Sequence, residues 1–159
     1  MAVDMFLKLA GIKGESTSHK HRDEIDVLSF SFGMSQVRAA NGSGAAAGKA
    51  QIQDFRFVHN VDTASPDFFD HTCSGKLIED GVFTVARTGG LKEGGDYYKI
   101  TFENILISSV SPASNGDTPQ EQVSLNFASF KVEARRQRPD GSLGAWETTS
   151  CDLVNQDKT

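Results

Sequence analysis

The stretch VSLNFASFKVEA, residues 123–134, constrains the fold more than any other. Val123, Leu125 and Phe127 alternate with polar residues, and then Phe130 and Val132 continue the alternation in the opposite phase. Alternation with period two is the signature of a strand. A strand that changes its apolar face midway serves two surfaces, as the strands of a barrel do. YYKITFENILISSV repeats the device: Tyr98, Ile100 and Phe102 share one phase, Ile105 and Ile107 the other. The slip predicts a bulge near Glu103–Asn104.

Other segments read the same way. Val3, Met5, Leu7 and Leu9 alternate with Asp4, Phe6 and Lys8. In IDVLSFSFGMSQV, Leu28, Phe30 and Phe32 fall on one face, and Val27, Ser29, Ser31 and Gly33 on the other. That reading commits the Phe face to the core, since burying a large apolar side chain stabilises by roughly 1.5–3 kcal/mol. In QIQDFRFVHNV, Phe55 and Phe57 oppose Asp54 and Arg56. GVFTVAR is a short strand, and a last one falls near 145–154. ASPDFFDHTCSGK is the one helix: Ser65 as cap, Pro66 at the first position, Asp67 against the dipole and Gly75 as stop. Residues 1–159 therefore read as a single domain: a mainly β fold, one β-barrel of two sheets with one flanking helix.

Composition narrows the function. A formal net charge of −5 argues against a general phosphate-backbone binder. The one basic cluster, ARRQR at 134–138, reads as a solvated strand end, so no nucleic-acid partner is expected. No run approaches the ~18 apolar residues of a membrane span. A basic segment followed by an apolar run, the mark of a signal peptide, is not visible at the N-terminus. Cys73 and Cys151 make no disulfide framework and read as two reduced thiols.

Catalytic motifs fail on spacing. The Gly/Ala-rich stretch at about 38–49 ends in Gly48-Lys49, which suggests a phosphate loop. The pattern requires a Gly where Ser43 stands; Gly42 and Gly44 each miss by one, and Ala50 replaces the magnesium-holding hydroxyl. His19 and His21, near Asp23 and Glu24, lack further ligands at a metal-site spacing and read as a solvated polar loop. No nucleophile elbow is present. No cofactor, no metal and no catalysis are expected. The residues alone leave open a structural subunit, a monomeric ligand-binding β-barrel and a β-barrel hydrolase using the His19/His21 loop.

MAVDMFLKLAGIKGES followed by EIDVLSFSFGMSQ resembles the opening of the Hcp family, the haemolysin-coregulated tube proteins of type VI secretion systems. The resemblance continues through GKAQIQDFRFVHNVDTASPDFF, CSGK, ENILISSVS and VSLNFASFKVEA, to about residue 134. The C-terminus departs from the family: Ser150-Cys151-Asp152-Leu153 stands where members carry a Gly-Trp-Asp-like strand, and Trp146 lies upstream. The resemblance implies a two-sheet barrel with a flanking helix and a homohexameric ring stacked head to tail into a tube. It implies as partners a contractile sheath, a spike protein with valine–glycine repeats, and effector toxins carried in the lumen. It implies synthesis in the cytoplasm and export through the type VI machinery without a signal peptide. It places Ser31, and next Ser29, toward the channel as cargo contacts. It makes 38–49, with Asn41, Gly42, Ser43, Gly44 and Gly48, a protruding ring-stacking loop, where glycines permit close approach. Residues 155–159 are expected as a flexible tail.

Overall fold

The computed structural model describes residues 3–37, 50–88 and 95–154, with the backbone of 157–158. The strands are β1 (Val3–Leu9), β2 (Ile25–Val27), β3 (Ser29–Ser31), β4 (Met34–Ser35), β5 (Gln51–Ile52), β6 (Phe55–Asn60), β7 (Ile78–Arg87), β8 (Asp96–Ala113), β9 (Gln120–Gln137), β10 (Leu143–Asp152) and β11 (Asp157–Lys158). Among the described residues one helix, α1 (Ser65–Ser74), lies between β6 and β7.

The strands pair in the order β11-β10-β9-β8-β7-β1-β2, with β6 joining β9 to β3. Because β2 and β3 are one chain segment, the sheet curls back on itself into a barrel-like body. The 18-residue strands β8 and β9 form its spine. Along β9, Gln120–Leu125 pairs with β6 and Ser129–Gln137 with β10. The change of partner explains the change of phase: each half of the hairpin closes a different part of the core. Ile100 and Phe102 are buried before the switch, Ile105 and Ile107 after it. Asn104 carries the turn with φ +52°, in the left-handed region that Asn tolerates. The register shift itself lies further on, between Ile107 and Ser109.

Phe55, Phe57, Phe83 and Phe102 are fully buried at the centre. The Phe55 ring lies 4.9 Å from Phe102 and 5.1 Å from Phe83. Such tilted contacts add to burial through the ring quadrupoles.

The segment from Ile25 to Val37 departs from expectation. It is three short strands, and its phase inverts at Leu28. Ile25 and Val27 are buried, while Leu28 is 45% exposed and Phe30 38% exposed. Here the chain leaves β1 and pairs with β6; Leu28 N–H donates to Val58 O at 2.7 Å. A corner between two ladders cannot keep one alternation. After it, Phe30 and Phe32 do point toward the core, at its rim. The Phe30 ring lies 4.6 Å from Phe83, and Phe32 lies 5.3 Å from Phe130.

The helix is where the sequence places it, and Gly75 ends it with φ +70°. Its cap differs. Ala64 is the N-cap; Asp62 Oδ1 accepts from Ala64 N–H, and Ser65 Oγ accepts from Asp62 N–H. Phe68 turns inward and Phe69 outward. The atypical C-terminal strand is held by Trp146, whose ring centroid lies 4.4 Å from Arg135 Cζ and 4.9 Å from Lys99 Nζ. Within the stretch read as a tail, Asp157–Lys158 runs antiparallel to Cys151–Asp152.

Candidate interaction surfaces

Ser29 and Ser31 are both exposed, on the face of β3 opposite Phe30. The β3–β6 register sets Ser29 opposite Val58 and Ser31 opposite Arg56. The β6–β9 register sets Arg56 opposite Ser124, Val58 opposite Gln122 and Asn60 opposite Gln120. Four strands thus present one polar sheet face, completed on β8 by Ser109 and Ser111. Its reverse is the aromatic core. Alternation forces this pairing: Phe55 and Phe57 drive their face inward, and Arg56 is carried outward with the serines.

Asn41, Gly42, Ser43, Gly44 and Gly48, expected from the resemblance to take part in ring stacking, lie outside the described residues. The described residues on either side of 38–49 form a two-stranded ladder, Met34 opposite Ile52 and Ser35 opposite Gln51. Large apolar side chains cluster in sequence around it: Leu28, Phe30, Met34 and Val37 are all exposed. A second exposed pair, Leu77 and Leu106, lies one step beyond the Ile78–Ile105 pair on β7 and β8. A contiguous exposed apolar surface marks protein–protein contact, and these side chains are the candidates for one.

The histidine loop is solvated in part: His19, Lys20, Arg22 and Asp23 are exposed, whereas His21 is not. His21 is buried and stacks on Phe6 at 4.3 Å, covering the outer face of β1. Its Nδ1 lies 2.8 Å from Glu24 Oε2 and its Nε2 2.9 Å from Asp96 Oδ1. The two carboxylates sit on opposite ring nitrogens, and among the described residues no three donors converge as a metal site. Burial pushes the Glu24 carboxyl above its usual range, against the pull of His21.

A second buried pair went unread in the sequence. His59 and Glu121 face each other across β6 and β9, 0% and 1% exposed, with Nε2 to Oε1 at 2.9 Å. Asp62 Oδ2 lies 3.7 Å from His59 Nδ1. Burial disfavours the charged ring, but the Asp62 and Glu121 carboxylates outweigh it and raise the His59 pKa. The signal was present: His59 is in phase with Phe55 and Phe57, and Glu121 with Val123 and Leu125.

Comparison with known proteins gives a consistent result. Residues 6–133 match the family described as "Type VI secretion system effector, Hcp". The chain is 40% identical over 145 residues to the protein hcp1 of Pseudomonas aeruginosa, covering 89% of each. It is similar to the crystal structure of Hcp1 from Salmonella typhimurium, with TM-score 0.82, 31% identity and full coverage of both chains. A structure titled as a type six secretion system protein superposes with TM-score 0.91 at 25% identity, covering 99% of this chain and 100% of that one.

Proposed function

The chain belongs to the Hcp family, the structural, secreted tube proteins of type VI secretion, and from that premise we propose that six copies close into a ring. The rings stack head to tail into a hollow tube. The tube carries effector toxins in its lumen, runs inside a contractile sheath and ends in a spike protein with valine–glycine repeats. The protein is made in the cytoplasm and leaves through this machine without a signal peptide. It performs no catalysis, needs no cofactor and engages no nucleic acid.

The observation that carries this reading is the polar face bearing Ser29 and Ser31, set back to back with the aromatic core. Small hydroxyls and amides suit the wall of a wide aqueous bore, since they offer hydrogen bonds without filling it. Exposed apolar residues at Leu28–Val37 and at Leu77/Leu106 supply two different patches, as a ring with head-to-tail contacts requires. Interfaces of permanent assemblies bury on the order of 2,000 Å² or more.

Native mass spectrometry at micromolar concentration should give a closed hexamer. Export should stop when the contractile machinery is deleted. A monomer, or export independent of that machinery, would refute the proposal.

A further inference from the structure

Arg56 stands between Ser31 on one neighbouring strand and Ser124 on the other, in the middle of the polar face. Two rows along, Val58 lies between Ser29 and Gln122, and Asn60 faces Gln120. Asp54 shares this face, but its oxygens are taken: Oδ2 accepts from Ser108 Oγ at 2.6 Å and Oδ1 from Asn126 Nδ2 at 3.1 Å. Arg56 is exposed, and among the described residues no carboxylate lies within 4 Å of it. The face therefore combines a satisfied anion, neutral hydroxyls and amides, and one cation with no ion-pair partner among the described residues.

A guanidinium carries five N–H donors in a fixed planar fork that matches a carboxylate two bonds at a time. Neighbouring hydroxyls such as Ser31 can take up the remaining lone pairs of such a carboxylate. We propose that Arg56 determines the specificity of the Ser29/Ser31 face, and that the cargo surface it selects is acidic, presenting aspartate or glutamate side chains. The inference rests on the ring reading above: copies of Arg56 then recur around the bore, and several weak contacts act together.

The test uses purified rings, verified by native mass spectrometry, and two labelled probes, a Glu-Ser repeat peptide and its Lys-Ser counterpart. Fluorescence anisotropy should show wild-type rings binding the acidic peptide in preference to the basic one, more weakly as salt rises. Arg56→Gln should weaken acidic-peptide binding by roughly fivefold per engaged site, the upper end for an exposed pair. Arg56→Lys should keep the preference. Arg56→Glu should reverse it, a change that no loss of folding can mimic. Intact wild-type rings that bind the acidic peptide no better than the basic one overturn the inference and leave the tube reading standing. So does an Arg56→Glu ring with unchanged preference. A chain that stays monomeric overturns both.

Discussion

Removing the carboxylate that faces His59 should cost this barrel a large share of its stability. The His59 ring is wholly buried between β6, β9 and α1, edge-on to Phe68 at 5.4 Å. Its hydrogen-bonded partner is Glu121 at 2.9 Å, with Asp62 more distant at 3.7 Å. Breaking a buried pair from one side costs about 3–5 kcal/mol, because it leaves the other group uncompensated. A domain of this size loses about 2–4 °C in Tm per kcal/mol, so Glu121→Ala should melt roughly 6–20 °C lower. The pH dependence follows from the raised His59 pKa. Between 6.5 and that raised value the folded chain holds a proton that the unfolded chain has released. The contribution is full below 6.5 and is lost as pH rises through the folded-state value, with a slope of at most about 1.4 kcal/mol per pH unit. Glu121→Gln removes one of the two carboxylates that raise the pKa and should flatten this slope. The double variant His59→Phe/Glu121→Leu should recover most of the loss, since apolar pairs can replace buried ions at little cost. Urea denaturation at fixed protein concentration across pH 6 to 8, a range of about two units around the ordinary imidazole pKa, measures all of this. A Glu121→Ala loss below about 1 kcal/mol, the ordinary net worth of one hydrogen bond, would refute the reasoning. So would an identical pH slope in wild type and Glu121→Gln.

Ser31→Gln should leave Tm nearly unchanged, because the residue is exposed; export of a lumen-carried toxin should fall, measured by immunoblot of the secreted fraction. At Gly14 an added Cβ would stand 2.5 Å from the Glu24 carbonyl oxygen. Gly14→Ala should therefore loosen the His21 loop and destabilise by about 1–3 kcal/mol, as overpacking does, read by thermal denaturation. Bulky charged residues from Gly44 to Gly48 should spare the barrel but weaken stacking, visible as rings without tubes in electron micrographs. Normal tubes would reduce that loop to a tether.

Alternation was enough to reveal the strand-rich chain and the two phase changes in β8 and β9, and end signals to reveal α1 with its Gly75 stop. These are local facts: a pleated strand must alternate, and a helix end needs a residue free to adopt positive φ. Ser29 and Ser31 could be placed opposite Phe30 for the same reason. The inversion at Leu28 was not legible, because it arises where the chain exchanges β1 for β6, and no residue near Leu28 encodes which strand lies alongside. The same holds for His21, read as solvated and found buried: Phe6 and Asp96, which enclose it, are remote in sequence. His59 and Glu121 each stood in phase with apolar neighbours, yet only the β6–β9 register, across 62 positions, makes them a pair. Arg56 likewise gained its meaning from pairing, since its setting beside Ser31 and Ser124 depends on two cross-strand registers. Side-chain direction is written residue by residue in the backbone period, whereas adjacency across a sheet is decided only when distant strands choose their partners.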